Sequence, residues 1–299
     1  MKKLIHLALI NIIILLVSTC SSPKVNQHPL IISALPDQKP EILGPLYDSL
    51  ASYLQQKLGI PVKYQAASTY DEALSGFRLG KLDMVWFGGL TGVEARLQVD
   101  GAQAIVQRDI DAAFQAVFIA NTSARLKPFS EVNDLQQLKG HSFTFGSSIS
   151  TSGRLMPEYY LKLAGVKETD FKGPVYFSGS HDATLGLVQS GKYEAGALNS
   201  QVWNSRVKAG DVDPAKVVML WKTPPFSDYH WVIHPDAAQR YGKDFIQQVQ
   251  NAFFSLDGRV PDQAKILTGF GAQKFIATKN DNYAQIESIG REIGRIRQY

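Results

Sequence analysis

The sequence holds one cysteine, Cys20, in 299 residues. A single cysteine allows no internal disulfide, so stability has to come from a packed core and not from covalent staples. Strong charge is missing too: 31 Lys and Arg stand against 27 Asp and Glu, a formal net charge of +4, with no basic run. That balance argues against nucleic acid as the main partner. Signatures of catalysis are absent. There is no Gly-x-Ser-x-Gly, no phosphate-binding Walker loop, no cysteine nucleophile and no carboxylate pair at a useful spacing. His230 and His234 are four apart, but Trp231-Val232-Ile233 between them reads as strand. Strand geometry separates the two imidazoles along one face by more than a usual metal pair allows. No catalytic residue, metal or cofactor is therefore expected, and an exported enzyme is the weaker class against a binding protein.

What the chain has is an export-type start. Lys2 and Lys3 precede an apolar run from Leu4 to Val17, broken only by His6 and Asn11. That run is short of the roughly 20 apolar residues a membrane span requires. Val17-Ser18-Thr19-Cys20 resembles the lipobox of bacterial lipoproteins, in which the cysteine is acylated and becomes the new N-terminus, although Thr19 stands where Gly, Ala or Ser is usual. The alternative is a plain signal peptide that contains a cysteine. Ser21-Ser22-Pro23 suits a tether. Removing Lys2 and Lys3 leaves 29 basic residues against 27 acidic ones, so a chain beginning at Cys20 carries +2. The expected product is exported to the periplasm or cell surface and tethered to the membrane through a lipid on Cys20.

From Leu30 onward, short apolar runs alternate with helical periodicity, in a composition of 44% hydrophobic and 19% charged residues that is ordinary for a globular protein. Leu30–Leu35 reads as a buried strand. Ile42, Leu46, Leu50, Leu54 and Leu58 mark a helix stopped by Gly59. Such alternation implies α/β lobes, each a mostly parallel sheet flanked by helices. An internal repeat supports two lobes. Residues 73–83 and residues 184–194 both read as helix, then Gly-Lys, an apolar residue, an acid and a buried strand. Ligands in open α/β sheets sit beyond the carboxyl ends of strands, which nominates Gly88–Thr91 and Asn199–Gln201 as facing cleft edges. Phe114–Ala120 would carry the chain out and Trp231–Ile233 bring it back. The expected division is a signal peptide at 1–19, a tether at 20–27, lobe one at 28–118 plus 228–299, and lobe two at 119–227.

A candidate anion site follows strand Ser142–Phe145. Ser150-Thr151-Ser152-Gly153 opens a helical pattern with Leu155, Tyr159 and Leu163 on one face. Free backbone N–H groups and the positive end of the helix dipole gather at such a start, and hydroxyls add donors for an oxyanion. Ordinary N-capping is the alternative, but it requires one hydroxyl and this stretch supplies three.

These residues carry a resemblance. Ser150–Gly153 is similar to the anion-binding motif of phosphonate/phosphite/phosphate-type periplasmic binding proteins, the solute-binding components of ABC importers. Ile32-Ser33-Ala34-Leu35-Pro36 resembles that family's first strand and loop, Phe87–Thr91 its strand-end motif, and Gly179-Ser180-His181-Asp182-Ala183 its second-lobe histidine segment. The match spans almost the whole mature chain and looks most like members assigned as selenate-binding components. The resemblance implies a type II periplasmic binding fold with the ligand cleft between lobes, a small oxyanion as ligand, permease and ATPase subunits as partners, and a monomer. It implies ligand contacts from Tyr70, Thr91, Ser150, Thr151, Ser152, His181 and Asp228, with Gly89 and Gln201 as further candidates. Two positions depart from the family's pattern. Gly92 stands where phosphonate binders usually carry a second tyrosine, and Gln201 where binders of aminophosphonates carry a carboxylate. Gln cannot neutralise an ammonium, which argues against aminoethylphosphonate. A binder of sulfonate or of a thiamine precursor on the same fold remains the alternative. Of the tryptophans, Trp86, Trp221 and Trp231 are expected in the core, while Trp203 follows a nominated cleft edge.

Overall fold

The computed structural model describes residues 28–296, so the expected signal peptide and the whole expected tether, Cys20 included, lie outside the described residues. The chain runs through β1 (Leu30–Ala34), α1 (Pro40–Leu58), β2 (Val62–Tyr64), α2 (Tyr70–Arg78), β3 (Met84–Phe87), α3 (Gly89–Gln98) and β4 (Gln103–Arg108). It continues through β5 (Ala116–Asn121), β6 (Phe143–Phe145), α4 (Met156–Leu163), β7 (Tyr176–Phe177), α5 (His181–Gln189), β8 (Ala195–Asn199), α6 (Ser200–Ala209) and β9 (Val217–Lys222). It ends with β10 (His230–Ile233), α7 (Pro235–Tyr241), α8 (Phe245–Phe254), α9 (Pro261–Phe270), β11 (Phe275–Ala277) and α10 (Ala284–Glu292). Among the described residues no helix is long and apolar enough to cross a membrane.

Two sheets organise these elements into two lobes. Lobe one is built on a six-stranded sheet in the order β11-β4-β10-β3-β1-β2, and lobe two on a five-stranded sheet in the order β7-β6-β8-β5-β9. The sheets are mixed, where alternation alone implied mostly parallel ones. The α/β-connected pairs β1–β2, β1–β3, β6–β7 and β6–β8 are parallel. The strands beside the crossings are antiparallel: β5 to β8 and β9, and β10 to β3 and β4. A chain that leaves one lobe and enters the other reverses its direction relative to strands laid down by right-handed crossovers, and the periodicity of a strand does not record that reversal. The two crossing segments are pinned together, since Phe114 and Phe226 exchange both backbone hydrogen bonds at 2.8 Å. Residues 116–118 already belong to β5 in the second sheet.

The internal repeat has a physical basis. Gly80 and Gly191 both take positive φ, 67° and 76°, after α2 and α5. The acids three residues later do the same work in each copy. Asp83 accepts the Ile31 N–H at 2.8 Å, and Glu194 accepts the Ser142 N–H at 2.9 Å, so each ties down the start of the neighbouring strand. The same register pairs Tyr70 with His181, each the first residue of a hydroxyl-capped helix, and Gly88 with Asn199, each the N-cap of the next helix.

Two helix faces differ from the expected ones. In α1 the buried residues are Leu43, Tyr47, Leu50, Ala51, Tyr53 and Leu54, and Ile42 is exposed, because a strict four-residue spacing drifts off a face that repeats every 3.6. In α4 the buried residues are Met156, Pro157, Tyr160 and Leu161, while Leu163 is exposed. The cause lies in the turn before it, Thr151–Leu155, which is π-helical and rotates the register.

Candidate functional site

Helix starts from both lobes converge on one buried polar cluster. In lobe two, β6 ends in a loop whose Ser150 hydroxyl accepts the Gly153 N–H at 3.0 Å. The Leu155 N–H reaches back five residues to the Ser150 carbonyl at 3.0 Å, which opens a wide first turn. Gly146 and Gly153 let that turn fold tightly, since a Cβ on Gly146 would stand 3.3 Å from the Gly153 Cα. In lobe one, α3 begins at the end of β3, and its first N–H groups are taken up by one acceptor in the same lobe and one across the cleft. The Asp228 Oδ1 accepts the Gly89 N–H at 2.8 Å, and the Thr151 Oγ1 accepts the Leu90 N–H at 2.9 Å. The backbone can come this close because a Cβ on Gly88 would lie 3.0 Å from the Thr151 hydroxyl.

Three polar atoms in this cluster are buried and have no hydrogen-bond partner: the Tyr70 hydroxyl, the Ser152 hydroxyl and the Asp228 Oδ2. Tyr70 lies beside Ser150 and Tyr229, and Ser152 beside Asp228. Leaving a buried polar group unpaired costs about 1–3 kcal/mol, so three together make this cluster the candidate place for a polar ligand.

A second network fixes the protonation of His181. The Asn199 backbone N–H donates to Nδ1 at 3.3 Å, which leaves the proton on Nε2, and that N–H donates to the Tyr229 hydroxyl at 3.1 Å. The Asn199 side-chain amide donates to the same hydroxyl at 3.1 Å, its own oxygen holding the Val202 N–H at 2.6 Å. With two donors on its oxygen, Tyr229 turns its one proton to the carboxyl of Asp37. Tyr229 and Asp37 belong to lobe one, and His181 and Asn199 to lobe two, so the network also bridges the cleft. Burial lowers the His181 pKa to about 4, consistent with the neutral ring that this bonding requires.

The electrostatics of the cluster are those of acids and neutral donors. Burial raises Asp228 to about 7, against the pull of the Gly89 N–H, and raises Asp37 to about 6. Burial likewise pushes Tyr70 and Tyr229 well above the usual tyrosine value. Arg108 stacks over the Tyr229 ring at 5.1 Å, but its nitrogens are held by Asp111 and the Phe270 carbonyl at 2.7 Å. An anion here would be met by hydroxyls, helix N-termini and protons more than by cationic side chains. Outside the cluster a pocket of about 610 Å³ opens between the lobes, lined by Lys39, Ser68, Tyr70, Ser147, Phe177 and Ser180 among others.

Comparison with known proteins gives this geometry a family. Residues 32–283 match the family model described as ABC transporter, phosphonate, periplasmic substrate-binding protein. The chain belongs to that family. It is 43% identical over 285 residues, 95% of this chain and 96% of the relative, to the protein named Probable ABC transporter phosphite binding protein PhnD1 of Prochlorococcus marinus. The solved structure of that protein in complex with methylphosphonate superposes with a TM-score of 0.87, covering 89% of this chain and 98% of that one. A phosphonates-binding periplasmic protein of Escherichia coli is 24% identical over 91% of this chain and 80% of its own. The protein is thus an extracytoplasmic substrate-binding component of an ABC importer with a two-lobed α/β fold. The family's members bind and deliver, and are not enzymes.

Of the residues the sequence nominates, this binding protein brings Tyr70, Gly89, Ser150, Thr151, Ser152, His181 and Asp228 together. Ser150 does serve as the helix cap, so its oxygen is occupied, while the Ser152 hydroxyl is unpartnered. Thr91 is fully buried on α3 and its hydroxyl bonds back to the Gly88 carbonyl at 3.2 Å. Gln201 lies elsewhere. It lines a separate groove with Phe114, Asn204, Lys208 and Thr268, and its amide packs on Gly271. Two residues past an N-cap, a helix has turned away from the cleft, so at this edge Asn199 faces the cluster and Gln201 does not. The argument against aminoalkyl ligands from Gln201 falls with that placement. Position 92 faces His230, whose Nε2 would lie 2.3 Å from a Cβ there, so no tyrosine could stand at Gly92 without displacing that ring. Trp203 is a core residue, packed among Val117, Leu198 and Val202. Asn199 is the one residue of the nominated Asn199–Gln201 edge that faces the cluster, whereas Asp37 and Tyr229 are not nominated by the sequence. The signals that could have found those two are the strand-end loop after Pro36 and the neighbour position of Tyr229 to Asp228.

Proposed function

We propose that the protein captures a small phosphorus oxyanion that carries an ionisable proton, phosphite or methylphosphonate, between its lobes. The observation that carries this reading is the set of three unpartnered buried atoms around Thr151. Tyr70 and Ser152 offer hydroxyl donors, and Asp228 offers a carboxylate oxygen. A fully deprotonated tetrahedral dianion satisfies donors but faces Asp228 with like charge in a low dielectric. A monoanion satisfies the same donors and gives its own O–H to Asp228. The methylphosphonate bound by the relative from Prochlorococcus marinus has this chemistry, and selenate and sulfate lack the proton near neutral pH.

In this reading Tyr70, Ser150, Thr151, Ser152 and Asp228 form the ligand shell, His181 supports it by holding the Tyr229 hydroxyl, the monomer closes on the ligand, and the permease and ATPase receive it. A lipid on Cys20 would hold the protein at the membrane, several acyl chains giving the stable attachment that one chain does not. The test is isothermal calorimetry with phosphite, methylphosphonate, phosphate, sulfate, selenate and selenite near pH 7. Phosphite or methylphosphonate should bind most tightly, and a tighter complex with selenate or sulfate would overturn the assignment.

A further inference from the structure

A cluster of charges beside the cradle turn joins the lobes. Arg154 follows Gly153 in the cradle turn. Its guanidinium is 1% exposed and stands against the rings of Phe145 and Phe177, 4.1 and 4.9 Å from their centres. Two carboxylates of lobe two hold it. Arg154 meets both oxygens of Glu158 at 3.0 Å and also donates to Glu168. Those carboxylates are in turn held from lobe one. Arg295, just past α10, gives Nε and Nη2 to the two oxygens of Glu158 at 2.9 and 2.6 Å, and its Nη2 is 3.7 Å from Glu168. Beside it Lys162 of lobe two meets Glu292 of lobe one at 3.0 Å.

The pairing is directional. Arg154 is the buried charge whose loss of partners would be costly, since breaking a buried pair leaves an uncompensated ion. Glu158 is the hinge of the cluster, bound by Arg154 from its own lobe and by Arg295 from the other. Arg295 and Glu158 lie on different lobes, so an opening that separates them would break this bidentate grip, which would then add to the closed form alone. The same α10 carries Ile286 to within reach of Gly89, so the element bearing the latch also packs at the start of α3.

We infer that Arg295, which touches no part of the ligand shell, is a positioning residue for ligand retention: through Glu158 it locks Arg154 and the Ser150–Gly153 cradle against lobe one when the clamp closes. This inference rests on the reading of Thr151 and Ser152 as the oxyanion cradle, and its test separates the two. Stopped-flow and calorimetric binding of methylphosphonate would be measured for the wild-type chain, Arg295→Gln, Arg295→Lys, Thr151→Ala, and Lys265→Gln as a charge control on a surface pair with Asp262. A latch made only after closure acts on release. Arg295→Gln should release methylphosphonate about fivefold or more faster with an association rate near wild type, and Arg295→Lys should recover part of the loss. Lys265→Gln should match wild type. Wild-type release rates in Arg295→Gln, with binding still lost in Thr151→Ala, would overturn the positioning role alone. Wild-type binding by Thr151→Ala would overturn the cradle and the latch's purpose with it.

Discussion

The Thr151 hydroxyl of lobe two accepts the Leu90 backbone N–H of lobe one at 2.9 Å. It lies beside Asp228, so its own proton can turn toward that carboxylate or toward a ligand. In the proposed reading one hydroxyl therefore serves both closure and recognition. Thr151→Ala removes a charge-assisted bond worth about 1.5–3 kcal/mol in the complex, which corresponds to roughly tenfold or greater weakening. Calorimetry with methylphosphonate should show that loss, and the unliganded protein should melt a few degrees lower because the buried Leu90 N–H loses its acceptor. Thr151→Ser keeps the hydroxyl and should bind within a few-fold of wild type. Equal affinity in Thr151→Ala would leave the turn as a helix start and nothing more.

Closure is readable in solution. Bonds between the lobes run through Leu90–Thr151, His181–Tyr229 and Asn199–Tyr229, and the crossing segments are pinned together at Phe114 and Phe226. A ligand that completes the cluster adds contacts to both lobes and so favours the closed state. Small-angle scattering at saturating methylphosphonate should give a smaller radius of gyration than the unliganded protein. No compaction would count against a clamp.

The sequence made most of this cluster legible, for reasons that differ by residue. Ser150–Gly153 and Gly88–Gly89 are local signals, because a helix start needs a cap and a close approach needs glycine, and both needs are written in consecutive residues. The repeat was legible because Asp83 and Glu194 each bind an N–H at the start of a neighbouring strand, which fixes an acid at the same offset from a helix. Asp37 and Tyr229 were not legible. Their bonds join residues 37, 181, 199 and 229, and no periodicity or spacing connects positions so far apart in sequence. Both β5 and β10 were legible as strands but their antiparallel direction was not, since an apolar strand reads alike in both directions. Gln201 was misplaced by assigning a whole helix start to the cleft when only its N-cap residue faces it.

A buried carboxyl with an unpartnered oxygen should make the site a cost to folding. The folded pKa of Asp228, about 7, lies above its ordinary value of 3.8, so between those limits the folded chain holds a proton the unfolded chain has lost. Stability from this group is full below about pH 4, falls as pH rises and is gone above pH 7; Asp37, raised to about 6, adds in the same direction. Asp228→Asn removes the ionisation but keeps an oxygen for the Gly89 N–H. Scanning calorimetry of the unliganded proteins should show Asp228→Asn melting higher than wild type by a few degrees at pH 8, at about 2–4 °C for each kcal/mol recovered, with a smaller gap at pH 5. A variant that melts lower at pH 8 would show that Asp228 stabilises the empty fold.

In the proposed reading the same carboxyl decides which oxyanion fits. In the complex, one proton has to lie between Asp228 Oδ2 and the nearest ligand oxygen, or two negative oxygens meet in a site that excludes water. Phosphite and methylphosphonate bring that proton near neutral pH. Selenate and sulfate do not, and bind only if Asp228 has kept its own. Above pH 7 both sources fail, because Asp228 ionises in the empty site and the phosphorus oxyanions lose their last proton. Affinity for methylphosphonate should therefore fall as pH rises from 7 to 9, with net proton uptake on binding at the upper end. Selenate should be weaker than phosphite or methylphosphonate at pH 7 and should lose ground further by pH 8. Asp228→Asn replaces the acceptor with an amide that can donate, so it should weaken the phosphorus ligands, tolerate selenate and narrow the gap between them. Competition calorimetry with the two proteins at pH 7 and pH 8 reads all of these effects. Selenate ahead of phosphite in the wild type at pH 8 would mean that Asp228 does not face the ligand, and the likeness to selenate-binding members would then be the better guide to the cargo.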